Sequence, residues 1–291
     1  MIFKGSAVAL VTPFDKNNEI NYYELKNLIE FQIANGTKAI VILGTTGESS
    51  TITKKERSKI IKFCVCLIAK RIPLIVGTGS NSTATSIDLS KEAELLGADA
   101  VLVVTPYYNK CNQNGIFKHY KSIANNIKIP LIIYNVPSRT GVNVSPETVI
   151  KLSKIKNIVG IKESSGNINQ IEQIIDGTSS DFAVYSGDDG LILPLIAIGA
   201  KGVISVTANI NPKEVNYLCD FALNGDFFNA KRWSIYLKKL NNALFLDINP
   251  ICVKYIMNLS NFNVGKPRLP LTEPDNKIKS ILKEVLKYYE N

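Results

Sequence analysis

Lys162 ends the apolar run Asn157-Ile158-Val159-Gly160-Ile161-Lys162 and is followed by Glu163. A lysine with the ordinary pKa near 10.4 is a free amine in only about one molecule in 2,500 at pH 7. Withdrawal from water disfavours the ammonium form, so a buried lysine offers a nucleophile for carbonyl groups. The plainer reading is a rim lysine that snorkels to solvent or pairs with Glu163 or Asp188. Tyr134 ends the preceding apolar run, which begins at Leu131. Its phenol can pass a proton to or from a carbonyl adduct at the same centre. A core tyrosine with its hydroxyl hydrogen-bonded is the alternative, and Tyr107 and Tyr108 carry the same two readings.

Gly44-Thr45-Thr46-Gly47 combines glycines that free the backbone with two hydroxyls, a combination that suits a small carboxylate. It lacks the Gly-Lys-Ser/Thr ending of a phosphate loop, and Gly77-Thr78-Gly79 lacks the third glycine of a dinucleotide motif because Ser82 stands there. Arg139, in Val136-Pro137-Ser138-Arg139-Thr140-Gly141, follows the Tyr134 run, where a planar guanidinium can grip a carboxylate in bidentate fashion. Asp188 and Asp189 precede a helical pattern and read as caps rather than metal ligands. Cys64, Cys66, Cys111, Cys219 and Cys252 have no zinc-ligand spacing, and the single histidine, His119, can build neither a metal site nor a triad. No metal is expected.

These residues need a frame. Eight short Val/Ile/Leu-rich runs, at Ser6–Val11, Lys38–Leu43, Pro73–Val76, Ala100–Val104, Leu131–Tyr134, Ile158–Lys162, Phe182–Tyr185 and Gly202–Ser205, read as strands buried on both faces. Helical patterns lie between them. Thr53 with Glu56, and Asn21 with Glu24, have the spacing of capping boxes, while Ser145-Pro146 and Asn211-Pro212 place a cap before a first-turn proline. Periodicity alone allows either a (β/α)8 barrel or an open doubly wound sheet. The polar residues gather after the strand ends, which a barrel brings into one ring and an open sheet spreads along a line. The fold class expected is therefore α/β, a (β/α)8 TIM barrel over residues 1–224, with a C-terminal helical extension over 225–291. In that extension, Asp226 to Leu246 and Asn249 to Leu259 look helical, and Ile278, Ile281, Leu282, Val285, Leu286 and Tyr289 form an apolar stripe.

Composition narrows the function. The 291 residues are 45% hydrophobic, enough for a large core. The net charge of +9 raises nucleic acid as a partner, yet Arg57, Arg71, Arg139, Arg232 and Arg268 are the only arginines among 34 basic residues. The lysines are scattered at helix spacing and read as solvated faces, so no nucleic acid is expected. Charged or polar residues interrupt every apolar run before membrane-spanning length. The start, Met1-Ile2-Phe3-Lys4-Gly5, does not read as a signal peptide, so the expected compartment is the cytoplasm, with no membrane partner.

Taken in order along the chain, Gly44-Thr45-Thr46-Gly47-Glu48-Ser49, Thr105-Pro106-Tyr107-Tyr108-Asn109, Tyr134 to Gly141, Gly160 to Ser164 and Ser186-Gly187-Asp188-Asp189 resemble the dihydrodipicolinate synthase family. These are class I aldolase-type enzymes that commit aspartate semialdehyde to lysine and diaminopimelate synthesis. The resemblance covers essentially the whole chain. It implies a Schiff base between Lys162 and pyruvate, and a proton relay of Tyr134, Thr45 and Tyr108, with Tyr108 reaching in from a neighbouring subunit. Thr46 would hold the pyruvate carboxylate, Gly187 and Ile204 would line its pocket, and Arg139 would bind the semialdehyde. It further implies no cofactor and a homotetramer built from two dimers. A related pyruvate aldolase, such as an N-acetylneuraminate lyase or a ketodeoxygluconate aldolase, would use the same lysine and tyrosine. Thr45-Thr46 and Arg139 argue against the neuraminate lyase. A basic binding protein on an idle barrel is the alternative from another class. In lysine-inhibited members of the family the inhibitor sits at the dimer interface. Ser49, Asn81 and Tyr107 match that site, but Lys54 and Arg57 replace its histidines and Thr85 its glutamate, which implies weak or absent inhibition.

Overall fold

The computed structural model describes residues 1–290. Its eight strands are β1 (Gly5–Ala9), β2 (Ala39–Ile42), β3 (Leu74–Gly77), β4 (Ala100–Val104), β5 (Leu131–Asn135), β6 (Ile158–Glu163), β7 (Ala183–Ser186) and β8 (Gly202–Ser205). All neighbours are parallel and β8 pairs with β1, closing the barrel in sequence order. The helices are α1 (Tyr22–Ala34), α2 (Lys54–Ile68), α3 (Thr83–Leu95), α4 (Gln113–Ala124), α5 (Pro137–Thr140), α6 (Pro146–Leu152), α7 (Ile168–Gly177), α8 (Ile192–Ala197), α9 (Pro212–Leu223), α10 (Phe227–Ala243), α11 (Ile251–Leu259) and α12 (Asn276–Glu290). The barrel expectation holds, with strand ends shifted by one or two residues. Asn291, the last residue of the expected C-terminal region, lies outside the described residues.

Alternation along the strands sorts the core into two layers. Val8, Ile40, Val101, Ile133 and Val203 face the helices, whereas Ala7, Ala39, Ile75, Ala100, Ile132, Ala183, Tyr185 and Ile204 face the barrel interior. Alanine is the commonest residue of the interior, which leaves room for the long side chains of Tyr134, Lys162 and Tyr185. The Phe3 ring closes the lower end, stacked on Tyr185 with centroids 4.2 Å apart, while the Tyr185 hydroxyl donates to the Phe3 carbonyl at 2.8 Å. Gly202 makes closure possible. Its φ of +146° and the 1.8 Å that would separate an added Cβ from the Gly5 carbonyl oxygen both require glycine.

The helix starts follow the expected chemistry with two exceptions. Thr53 and Glu56 form a reciprocal capping box, and Ser145 caps α6 ahead of Pro146. Asn21 accepts from the Glu24 N–H, but the Glu24 carboxylate is taken by Asn27 and the Asn263 N–H and does not reciprocate. Asn211 stands at the N-cap of α9 without a side-chain bond to the helix. α10 packs on α9, and α12 lies on α10 and α11. The reading of the lysines as solvated faces fails for Lys254 on α11, which is wholly buried. Among the described residues, no helix is long and apolar enough to cross a membrane.

His119 on α4 is buried, with its Nδ1 2.9 Å from the Thr83 hydroxyl and its Nε2 without a partner among the described residues. Burial pulls its pKa down to about 4. The unfolded chain therefore binds a proton here below about pH 6.5 that the folded chain refuses, so stability falls as the pH drops from 6.5 towards 4. The full effect is about 3 kcal/mol. Urea unfolding at pH 7, 5.5 and 4.5 should show this slope in the native protein and a flatter one in His119→Phe. Equal slopes would show that the imidazole carries none of it.

Candidate active site

Parallel pairing puts Lys162 of β6 opposite Tyr134 of β5 and Tyr185 of β7. All three face inward. The Lys162 side chain is 5% exposed, and its Nζ lies 4.5 Å from the centre of the Tyr134 ring. Among the described residues Lys162 forms no ion pair. Glu163, one position on, points the other way. Its buried carboxylate accepts from Asn135, Gln170 and the Ser165 N–H, and burial raises its pKa despite those bonds. The strand alternation thus rules out the pairing of Lys162 with its neighbour.

Lys162 and Tyr134 open on a cavity of about 520 Å³ at the C-terminal mouth of the barrel. Thr46, Arg139, Gly187, Asp188 and Val206 share its wall. Gly187 is dictated by Ser164 and Lys162 together. An added Cβ would lie 1.9 Å from the Ser164 Oγ and 2.9 Å from the Lys162 Cε, so the serine hydroxyl and the lysine stem occupy the space a side chain would take. Asp188 caps the Gly190 N–H as expected. Asp189 does not cap. It turns inward, accepting from the Ser205 hydroxyl and from the N–H groups of Val206 and Thr207, and so fixes the end of β8 beneath the cavity. Burial raises its pKa.

Three expected site residues lie elsewhere. Ile204 is fully buried in the barrel interior and does not line the cavity, whereas Val206, in the turn just past β8, does. Thr45 is half-buried on an adjoining cavity of about 460 Å³, which shares Val136, Arg139, Ile248 and Asn249 with the first. Tyr108 lines neither; its side chain is 89% exposed on a left-handed backbone at φ +73°. The second cavity also exposes Ser49, Arg57, Thr85 and Tyr107. Arg57 is buried there, donates to the Gly77 carbonyl, and is pulled down to about 10 by burial, so it stays charged at neutral pH. Lys54 points to solvent away from both cavities.

Sequence reading missed Asn249, which it placed at the start of a helix. α11 starts at Ile251, and Asn249 lies over the barrel mouth. Its amide donates to the Thr46 hydroxyl at 2.9 Å, and its carbonyl accepts from Arg139 at 3.1 Å. Among the described residues its buried Oδ1 has no partner. The one available signal was Pro250, which fits the first turn of a helix and demotes the residue before it to a loop. Among the described residues, no three His, Cys, Asp or Glu side chains gather closely enough to hold a metal.

The Dihydrodipicolinate synthetase family matches residues 2–289. The chain belongs to the dihydrodipicolinate synthetase family. A family member from Acetivibrio thermocellus, named 4-hydroxy-tetrahydrodipicolinate synthase, is 51% identical over 288 residues, covering 99% of this chain and 98% of the relative. The crystal structure of the dihydrodipicolinate synthase from Aquifex aeolicus superposes with a TM-score of 0.97 at 48% identity, covering 99% of this chain and 98% of that one. The chloride-inhibited enzyme of Acinetobacter baumannii, solved in complex with pyruvate, gives 0.96 at 44% identity, with 99% and 98% covered. The expected family and the barrel it implies are borne out.

Gly187→Ala should keep the fold and lose activity by about a hundredfold, because the lysine stem must leave its channel and a displacement of about 1 Å at a reacting group costs that much. Initial rates beside a far-ultraviolet dichroism spectrum decide it. Native-like activity would place the lysine stem elsewhere in solution.

Proposed function

We propose that this family member is a 4-hydroxy-tetrahydrodipicolinate synthase of the cytoplasm, condensing pyruvate with L-aspartate 4-semialdehyde. One observation carries the mechanism: Lys162 is buried against Tyr134 on a cavity wall, with no carboxylate paired to it among the described residues. The Lys162 amine attacks C2 of pyruvate and water leaves, giving an iminium ion. This ion is an electron sink, so the methyl carbon loses a proton and becomes the nucleophilic carbon of an enamine. That carbon attacks the aldehyde of the semialdehyde, whose oxygen takes up a proton. The substrate's own amine then adds to C2, closes the ring and displaces Lys162.

Tyr134, on the same cavity wall, serves the proton transfers, with Thr45 and a neighbouring copy's Tyr108 completing the relay. This assigns the exposed Tyr108 to a homo-oligomer, a tetramer in the reading favoured here. Thr46 and the glycine-flanked turn hold the pyruvate carboxylate. Arg139 presents a planar guanidinium to the carboxylate of the semialdehyde, and Gly187 and Val206 shape the pyruvate end. No cofactor takes part in this sequence of steps.

Borohydride added with pyruvate should leave a reduced adduct on Lys162, located by peptide mass mapping. An adduct on another lysine, or none, would sink the mechanism. Feedback by lysine should be weak. A second cation about 4 Å from the buried Arg57 costs about 4 kcal/mol in a partly buried site, nearly three decades of affinity. Thr85 supplies no carboxylate to offset it. Initial rates across a lysine titration should show no half-inhibition below about 1 mM, and sub-millimolar inhibition would refute the reading.

A further inference from the structure

Glu48 and Lys254 form an ion pair that the reaction does not use. Their side chains are each 1% exposed and meet at 2.8 Å, across 206 residues of sequence. Lys254 Nζ also donates to the carbonyls of Thr12 at 3.0 Å and Lys266 at 3.2 Å, and sits 4.1 Å from the Phe14 ring centre. The second Glu48 oxygen accepts from the Arg268 N–H at 2.8 Å. The Arg268 guanidinium then reaches the Thr51 carbonyl and Glu56 on the far side of the same loop.

A buried pair of this kind is a weak source of stability, because the desolvation of two charges offsets their attraction. What it supplies is direction. Glu48 holds a left-handed backbone at φ +55°, which a residue with a Cβ adopts only when its surroundings impose it. Its N–H donates to the Thr45 carbonyl at 3.1 Å, and Thr12, whose carbonyl binds Lys254, donates through its hydroxyl to the Gly47 carbonyl at 2.7 Å. The Glu48 end of the ion pair is thus one hydrogen bond from the Thr45–Thr46–Gly47 turn, and the Lys254 end reaches it in two, through Thr12. An apolar pair would fill the same space but leave the Thr12 carbonyl and the Arg268 N–H without these partners, and so would not hold the segments on either side of the turn.

We propose that the Glu48–Lys254 pair is a positioning element for the Thr45–Thr46 turn, so that capture of pyruvate depends on a contact made by the C-terminal helices. This rests on the assignment of that turn to pyruvate. Neither residue lines the cavity that holds Lys162, so neither touches the reacting atoms.

The test follows borohydride trapping at Lys162 as pyruvate is varied, in the wild-type protein and in Glu48→Gln. Loss of the charge-assisted bonds should raise the half-saturating pyruvate concentration about tenfold while the maximal turnover stays within about threefold. A purely structural role would instead lower the melting temperature and the active fraction, with half-saturation unchanged in the molecules that remain folded. Because Glu48→Gln leaves the Lys254 ammonium buried without a counter-ion, the double variant Glu48→Gln/Lys254→Met is measured beside it. It should show the same raised half-saturation with a recovered melting temperature. Native half-saturation in either folded variant would overturn the proposal, as would failure of both to fold, which would assign the pair to folding alone. No adduct in the wild-type protein would sink the lysine chemistry itself and this inference with it, an outcome distinct from native trapping in the variants.

Discussion

Closure of the parallel sheet forces inward-facing residues on neighbouring strands into shared layers, and the chemistry of this protein follows from which residues meet there. Lys162, Tyr134 and Tyr185 stand in one register row. Three long side chains fit inside a barrel only because the positions around them are small. Ala7, Ala39, Ala100 and Ala183 give up volume, and an added Cβ at Gly160 would lie 2.4 Å from the Ala183 carbonyl oxygen. Tyr185 is drawn down to Phe3, leaving the upper part of the row to the lysine and Tyr134. The same alternation sends Glu163 outward, away from the amine it adjoins in sequence. A single-residue slip of β6 would reverse both.

The barrel supplies only part of the mouth. Asn249, from the loop before α11, ties Thr46 to Arg139. Lys254 and the Arg268 backbone grip Glu48, just past the same turn. The C-terminal region, mostly through the segments flanking α11, therefore contributes groups to the rim that no strand-end loop provides, and the two carboxylate-holding elements of the proposed reaction are joined through one asparagine.

Much of this was legible in the sequence, for identifiable reasons. Strands buried on both faces are continuous apolar runs, and polar residues placed after them gather at one end of a barrel, so pattern and resemblance together could bring Lys162, Tyr134, Thr46, Arg139 and Gly187 to one cavity. Ile204 could not be placed from pattern alone. Deciding between Ile204 and Val206 requires knowing how high the cavity floor lies, which depends on what fills the layers below. The buried charges were invisible for a different reason. Lys254, Arg57 and Asp189 look like surface residues one at a time, and only the partners that fold against them, such as Glu48 or the amides of Val206 and Thr207, make their burial tolerable. Asn249 was hidden because its role depends on a loop crossing the mouth, and periodicity does not report loops.

The order in which the mouth is assembled has a consequence for synthesis. A ribosome releases the chain from the N-terminus, so all eight strands are available once Ser205 has emerged, and domains can begin to fold as units at that stage. At that moment Glu48 has no ammonium to receive its carboxylate, and Thr46 has no amide to fix its hydroxyl, because Lys254 and Asn249 are still to come. The nascent barrel can close before its turn is set. The proposed nucleophile is thus made well before the groups that set the turn, and chemical competence waits on the last part of the chain.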